Sequence, residues 1–210
     1  MASTHDEQYE DALPRLMAAH PALFAGRSFQ IPSELPGGWH AVADLLCGDL
    51  EALLGAAAAR WQPVQSKEKW GAWRFYWRLE LDDDGKPETF NLDLASPPDP
   101  AGVERLNQGD VQVSPTPAGY RISVLPQGEL RRAVHARVRA AEQETERTCM
   151  WCGEPGTYWS NGWVHIACRR HRRADAMTLE EWRRRAAIRR QKYLRGRGPG
   201  KRKDKESDDE

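Results

Sequence analysis

Residues 148–175 read TCMWCGEPGTYWSNGWVHIACRRHRRAD, and this stretch decides how the C-terminal part of the chain folds. Two residues separate Cys149 from Cys152, and after fifteen more residues Cys168 and His171 repeat that spacing. Zinc is held by four thiolate or imidazole ligands in a tetrahedron, and a Cys-x2-Cys pair closes a turn tight enough for both sulfurs to reach one ion. The spacing therefore predicts a Zn²⁺ site formed by Cys149, Cys152, Cys168 and His171.

The predicted zinc is structural, because four protein ligands close the shell that a catalytic zinc keeps open at one position. A His-Asn-His nuclease needs a further histidine well before its second ligand pair, and His165 precedes Cys168 by only three residues. We therefore predict no catalytic residue here and expect His165 to be a hairpin or helix-start residue.

Asn161-Gly162 lies between aromatic residues, a setting in which Asn-Gly is a hairpin signal. Nothing interrupts a helix between Cys168 and Ala176, so a helix is predicted to contain the second ligand pair. A tight turn, a hairpin and a helix in this order are typical of a treble-clef zinc finger, and a zinc ribbon is the alternative.

The residues before the zinc element alternate between helical and strand patterns. Apolar spacing predicts an amphipathic helix over 39–53 and another over 128–147, which runs directly into Cys149. Cys47 is expected to be buried in the first of these helices.

Apolar and polar residues alternate strictly over 73–81, which predicts a strand with Trp73, Phe75 and Trp77 on its core face. A second alternating run at 90–94 predicts a hairpin across the turn at 82–85.

Two shorter runs, 111–113 and 120–124, predict another hairpin around Pro117-Ala118-Gly119. The predicted fold class is α+β: a small antiparallel sheet packed with helices, plus a C-terminal treble-clef-like zinc finger and a basic helix. The predicted boundaries are 1–147 for the α+β domain, 148–175 for the zinc finger, 176–195 for the basic helix and 196–210 for a disordered tail. The basic helix itself is expected over about 179–194, opened by a capping box at Thr178-Leu179-Glu180-Glu181.

The net charge of zero conceals a strong asymmetry. Residues 1–148 contain 15 basic and 22 acidic side chains, residues 149–203 contain 15 basic and 4 acidic ones, and residues 204–210 have a net charge of −4. A hydrophobic fraction of 40% excludes a wholly disordered chain, and no stretch approaches the ~20 apolar residues of a membrane helix. With a polar N-terminus and no signal peptide, we expect a cytoplasmic protein without a membrane partner.

Arginine dominates the basic segment, and its guanidinium group binds phosphate in a bidentate way. A strongly positive segment of this kind is the electrostatic footprint of nucleic-acid binding. The predicted contacts are Arg169, Arg170, Arg172, Arg173, Arg183, Arg184, Arg185, Arg189, Arg190 and Lys192, with Trp159 and Trp163 adding base stacking. DNA and RNA both remain open, as do docking on an acidic protein surface and a merely solvated charged face.

Three segments together resemble a family of small uncharacterised bacterial and bacteriophage proteins: Gly38-Trp39, residues 64–76 (VQSKEKWGAWRFY) and residues 148–156 (TCMWCGEPG). In that family a segment like QVKEKFGGLRFY precedes a Cys-x2-Cys-Gly-x-Pro-Gly zinc element. The match covers about 36–94 and 128–171. This chain departs from the family pattern at Trp70 and Trp73, where the family usually has Phe and Leu, and in its long basic extension after 173. The resemblance implies the architecture and the metal and no reaction, and it leaves a structural or a binding role open for Lys67-x-Lys69-Trp70-Gly71.

The leading functional hypothesis is a non-enzymatic zinc protein that binds nucleic acid through the finger and the basic helix. The alternative is a protein-interaction module, such as an inhibitor, an immunity protein or a phage accessory protein, with a purely structural zinc. A small nuclease-like enzyme is the third hypothesis. No P-loop, zinc-protease, nucleophile-elbow or dinucleotide motif occurs, so no small-molecule substrate is evident.

Overall fold

The computed structural model describes residues 9–80, 91–94, 111–116, 119–124 and 128–196. Within these ranges the helices are α1 (Leu13–Ala19), α2 (Pro21–Phe24), α3 (His40–Leu54), α4 (Glu129–Thr145) and α5 (Leu179–Gly196). The strands are β1 (Trp61–Lys69), β2 (Ala72–Leu79), β3 (Asn91–Leu94), β4 (Val111–Thr116), β5 (Gly119–Val124), β6 (Thr157–Ser160), β7 (Val164–Ala167) and β8 (Met177–Thr178). All strand pairs are antiparallel, so the α+β class with small antiparallel sheets is confirmed.

The strand that the alternation predicted is present as β2, but its partner is not the predicted one. It pairs with β1 through a turn at Trp70 and Gly71, whose φ angles are +56° and +76°. Positive φ at both central residues is typical of a type I′ turn, which matches the twist of a hairpin. The predicted hairpin between 73–81 and 90–94 is therefore wrong, and its turn at 82–85 lies outside the described residues.

The second sheet has the strand order β3-β5-β4. Val113 lies opposite Ile122, and this confirms the predicted hairpin between 111–113 and 120–124. Pro117 and Ala118 lie outside the described residues. The run at 91–94 pairs with β5 instead of β2.

The main core is formed by the β1–β2 hairpin and the helices α3 and α4, together with buried residues of α1 and α2. Trp73, Phe75 and Trp77 are buried as predicted, and Trp61 of β1 stacks on Trp77 with ring centroids 5.4 Å apart. Cys47 on α3 is also buried, as expected.

Helix α4 covers the edge of β2 that β1 leaves open. The backbone N–H of Phe75 donates to Oε1 of Glu142 at 3.0 Å, and that of Trp73 donates to Oγ1 of Thr145 at 3.0 Å. Glu142 also forms a buried ion pair with Arg121 of β5, so one carboxylate joins α4 to both sheets. These bonds fix the C-terminal end of α4, which leads into Cys149 four residues later.

The predicted helix over 169–176 is wrong. The backbone N–H groups of His171 and Arg172 both donate to the Cys168 carbonyl and close one turn, and the N–H of Ala176 donates to the Arg173 carbonyl in a separate turn. Asp175 then accepts a hydrogen bond from the Asn161 amide at 3.1 Å, and the chain continues as β8 beside β6. The second ligand pair therefore lies on a tight turn, and the treble clef is not confirmed.

Helix α5 begins where it was predicted and continues to Gly196. Oγ1 of Thr178 accepts the backbone N–H of Glu181 at 3.2 Å, which forms one half of the predicted capping box. The Glu181 carboxylate turns away from Thr178 and pairs with Arg184 and Arg185 instead. The remaining tail, 197–210, lies outside the described residues. In the described part of the chain, no helix is long and apolar enough to cross a membrane.

Candidate metal centre

Two tight turns and a short hairpin bring the four predicted ligands together. The Gly153 N–H donates to the Cys149 carbonyl at 2.9 Å and closes the first turn. Strands β6 and β7 then lead away and back, so that Cys168 and His171 return to the same end of the sheet. The four ligand atoms lie within 4.8 Å of one another.

The distances between these atoms fit a tetrahedral ion. The sulfurs of Cys152 and Cys168 are 3.8 Å apart, and Nδ1 of His171 lies 3.6 Å from the Cys149 sulfur and 3.3 Å from that of Cys168. With metal–sulfur bonds of about 2.3 Å and metal–nitrogen bonds of about 2.0 Å, a tetrahedron has edges of about 3.8 Å between sulfurs and about 3.5 Å between sulfur and nitrogen. The cluster could therefore bind a metal ion such as zinc, through Nδ1 of the histidine.

The protein environment treats two of the thiols differently. Burial raises the pKa of the Cys152 thiol to about 11, opposed by the backbone amide of Glu154. Burial also acts to raise the pKa of Cys168, but the backbone amides of His171 and Arg170 stabilise its thiolate, and the pKa falls to about 6. Because metal ligation requires thiolates, binding of a divalent ion would release the protons that remain on these sulfurs.

The turn at 149–153, the metal turn, packs directly against the main body of the protein, which comprises the described residues up to Thr145. Gly38 donates its backbone N–H to the Met150 carbonyl at 3.0 Å, and Nε1 of Trp39 donates to the Thr148 carbonyl at 2.8 Å. A Cβ atom on Gly38 would lie 2.2 Å from the carbonyl oxygen of Cys149, so only glycine fits there. The resemblance singled out Gly38-Trp39, yet nothing in the local sequence indicated that this pair holds the metal turn.

Two residues of the run Lys67-x-Lys69-Trp70-Gly71, Glu68 and Gly71, make contacts in the same interface. Glu68 accepts the backbone N–H of Gly71 through Oε1, and it accepts Nε1 of Trp163 through Oε2 at 3.4 Å. A Cβ atom on Gly71 would lie 3.1 Å from the Tyr158 ring and 3.2 Å from the His165 backbone. The turn of the β1–β2 hairpin is thus packed against the β6–β7 hairpin.

An aromatic cluster adjoins the ligands. Trp151 lies between the two ligand cysteines of the first turn and stacks on His171, with centroids 6.2 Å apart. His165 is buried in β7, as expected of a hairpin residue, and Nδ1 lies 3.2 Å from the Trp163 carbonyl.

The ten predicted phosphate contacts are all exposed side chains: Arg169, Arg170, Arg172, Arg173, Arg183, Arg184, Arg185, Arg189, Arg190 and Lys192. Some have acidic neighbours, since Arg173 lies 3.8 Å from Asp175 and the Glu181 carboxylate pairs with two arginines of α5. The two predicted stacking residues differ. Trp163 is 37% exposed, whereas Trp159 is 9% exposed and has the Arg172 guanidinium over its ring at 4.9 Å. Of the two predicted stacking residues, Trp163 is therefore the one whose indole is accessible to a ligand.

The chain was compared with family models, curated proteins and solved structures. No family model, no curated protein and no solved structure matches the chain. The resemblance to small bacterial and bacteriophage proteins stays a prediction, and the candidate site stands on its own residues.

Proposed function

We propose that the chain is a non-enzymatic zinc protein that binds nucleic acid through the arginine-rich surface of its Cys3His element and helix α5. The observation that supports this most is that all ten predicted phosphate contacts are exposed on one continuous stretch, 169–192, which begins between two metal ligands. Phosphate contacts of this kind give affinity with modest sequence preference.

The zinc in this proposal is structural. Three sulfurs and one imidazole nitrogen match its preferred ligands, and their spacing matches its tetrahedral geometry. Two ligand turns at one end of a three-stranded sheet support a ribbon-like arrangement more than a treble clef. We place the protein in the cytoplasm, where free thiols stay reduced and available to a metal.

The metal is tested by elemental analysis of purified full-length protein and of Cys168→Ser. One zinc per chain, lost in the variant, is the expected result. Substitution of Co²⁺ adds the geometry, because a tetrahedral thiolate site gives intense visible absorption. A wild-type protein purified under reducing conditions that neither contains nor takes up metal would refute the site.

Nucleic-acid binding is tested by fluorescence anisotropy on labelled duplex DNA, single-stranded DNA and RNA over ~50 to 300 mM salt. A chain shortened at Asp175 is a poor comparison, because it loses β8 and the buried Leu179. The better variant is Arg189→Gln/Arg190→Gln/Lys192→Gln, whose three side chains are exposed on the last turns of α5.

The matched control removes three positive charges from exposed arginines of the main body, in Arg15→Gln/Arg132→Gln/Arg137→Gln. We expect the α5 variant to lower affinity and to reduce the slope of log K against log salt by about 2–3, and the control to leave both unchanged. Equal effects of the two variants would reduce the interaction to net charge. No binding at low salt would reject the proposal in favour of a protein-interaction module.

A further inference from the structure

One face of the β7-β6-β8 sheet has an inner layer of two planar side chains. Trp159 of β6 and His165 of β7 lie directly opposite each other in the antiparallel register, so both project from the same face. Both are buried. They support whatever lies above them.

The groups above them are also planar, and they are exposed. The Trp163 indole stacks on the His165 ring with centroids 5.0 Å apart and an interplanar angle of 25°. The Arg172 guanidinium lies over the Trp159 ring at 4.9 Å. Because opposite residues of an antiparallel pair have Cβ atoms roughly 5 Å apart, the indole and the guanidinium rest on adjacent supports.

Further contacts hold Trp163 in this orientation. Its Nε1 donates to Glu68 at 3.4 Å, and the Trp151 ring packs edge-on against it with centroids 6.3 Å apart. Asn161 links the same hairpin to Asp175, which pairs with Arg173, so a second guanidinium group lies nearby. An indole fixed before a ligand arrives loses little conformational entropy when it binds.

We propose that this double layer is a stacking site for the unpaired bases of single-stranded nucleic acid. The inference rests on the proposed function and selects among its possible ligands. Unpaired bases stack on aromatic rings and on arginine planes, whereas the bases of a duplex are already stacked and expose only their edges. The neighbouring arginines supply the phosphate contacts, and the Trp163–Arg172 layer supplies the preference for single strands.

The test compares a short single-stranded DNA, an RNA of the same sequence and the corresponding DNA duplex, all by anisotropy with full-length metal-loaded protein. We expect the wild type to bind both single strands more tightly than the duplex. Trp163→Leu removes the plane and is expected to weaken single-strand binding about tenfold, with duplex binding and the salt slope unchanged.

Two further variants separate stacking from folding and from charge. Trp163→Phe keeps a ring but loses the Nε1 bond to Glu68, so it restores most of the affinity if stacking is the cause. Arg172→Lys keeps the charge and loses the plane, and it is expected to weaken single-strand binding, whereas the control Arg132→Lys, at an exposed arginine of the main body, is expected to have no effect.

The outcomes also distinguish the two proposals. Equal binding of single strands and duplex, or a Trp163→Leu variant that binds single strands normally, overturns the stacking site and leaves the proposed function intact. A Trp163→Phe variant as weak as Trp163→Leu overturns it as well, because a structural bond would then explain the loss. Failure of the wild type to bind any of the three nucleic acids overturns both proposals.

Discussion

Replacing Gly38 with alanine tests whether the metal turn is seated on the main body as the structure shows. The new Cβ would lie 2.2 Å from the Cys149 carbonyl oxygen and 2.7 Å from the backbone nitrogens of Cys152 and Gly153. All three are backbone atoms, so no side-chain rotation relieves the overlap. The two segments must move apart by roughly 1 Å to restore ordinary contact.

The cost can be worked out from the contacts that such a movement disturbs. Overpacking in a buried, well-packed place destabilises a protein by about 1–3 kcal/mol. The Gly38–Met150 and Trp39–Thr148 hydrogen bonds, at 3.0 and 2.8 Å, are each worth about 1 kcal/mol if they break. A total of about 3–5 kcal/mol corresponds to a fall in Tm of about 6–20 °C for a chain of this size.

Thermal unfolding of the metal-loaded protein, followed by circular dichroism, measures the effect. Gly48→Ala is the matched control, because Gly48 lies within α3 and a Cβ there meets nothing within 4 Å. Alanine is the better helix former by about 1 kcal/mol, so the control is expected to raise Tm slightly. If Gly38→Ala melts like the wild type, the metal turn is not seated on Gly38 and this account of the interface is wrong.

Three other perturbations give independent tests. Cys152→Ser is expected to lower zinc affinity more than about 100-fold, since changes behind metal ligands alone cost about 10–100-fold; competition with a chromophoric chelator measures it, and unchanged affinity would exclude Cys152 as a ligand. Burial raises the pKa of the Glu68 carboxyl in the folded protein above its ordinary value. At a pH at which the unfolded carboxyl is ionised, this shift lowers the free energy of unfolding, and the destabilisation disappears as the pH falls below the ordinary pKa of a glutamate. The stability of Glu68→Gln relative to wild type, from urea unfolding, should therefore decrease from pH 7 to pH 4, and an increase would contradict the buried carboxylate. Deleting residues 204–210, with a net charge of −4, is expected to tighten nucleic-acid binding at low salt and to have little effect at ~300 mM, whereas no change at either salt would exclude competition by the acidic end.

Local patterns predicted the features that depend on neighbouring residues. The ligand spacing at Cys149–Cys152 and Cys168–His171 is short-range, so it indicated the cluster correctly. Helices α3, α4 and α5 follow from apolar periodicity and a capping residue, and β2 follows from strict alternation. In each case the physical cause lies within a few residues of its effect.

Strand pairing was missed because the core face of β1 becomes polar after the buried residues Trp61 and Pro63. The residues opposite Phe75 and Trp73 are Ser66 and Glu68, so apolar alternation does not continue along the strand. Ser66 is nevertheless buried, because its hydroxyl accepts Nε1 of Trp73 at 2.9 Å and donates to the Glu34 carbonyl at 2.7 Å. Those partners become neighbours only after folding.

The helix at 169–176 was predicted for a related reason. Nothing in that stretch disfavours a helix locally, and the competing contacts come from elsewhere: Asn161 binds Asp175, and β6 pairs with β8. The contact between Gly38 and the metal turn joins residues more than 100 positions apart in the sequence. Local spacing patterns cannot predict such a contact.

On the proposed function, metal and nucleic acid should bind cooperatively, because one turn holds both sets of groups. Arg169 and Arg170 lie between the ligands Cys168 and His171, and Arg172 follows immediately. A metal that fixes this turn also fixes the backbone from which three arginine side chains project, so part of the ordering is done before nucleic acid binds. Linkage then requires that nucleic acid raises zinc affinity by the same factor as zinc raises nucleic-acid affinity. Chelator competition with and without a saturating oligonucleotide measures the first factor, and anisotropy of metal-loaded and metal-free protein measures the second. If both factors equal one, the arginines act independently of the turn that contains Cys168 and His171.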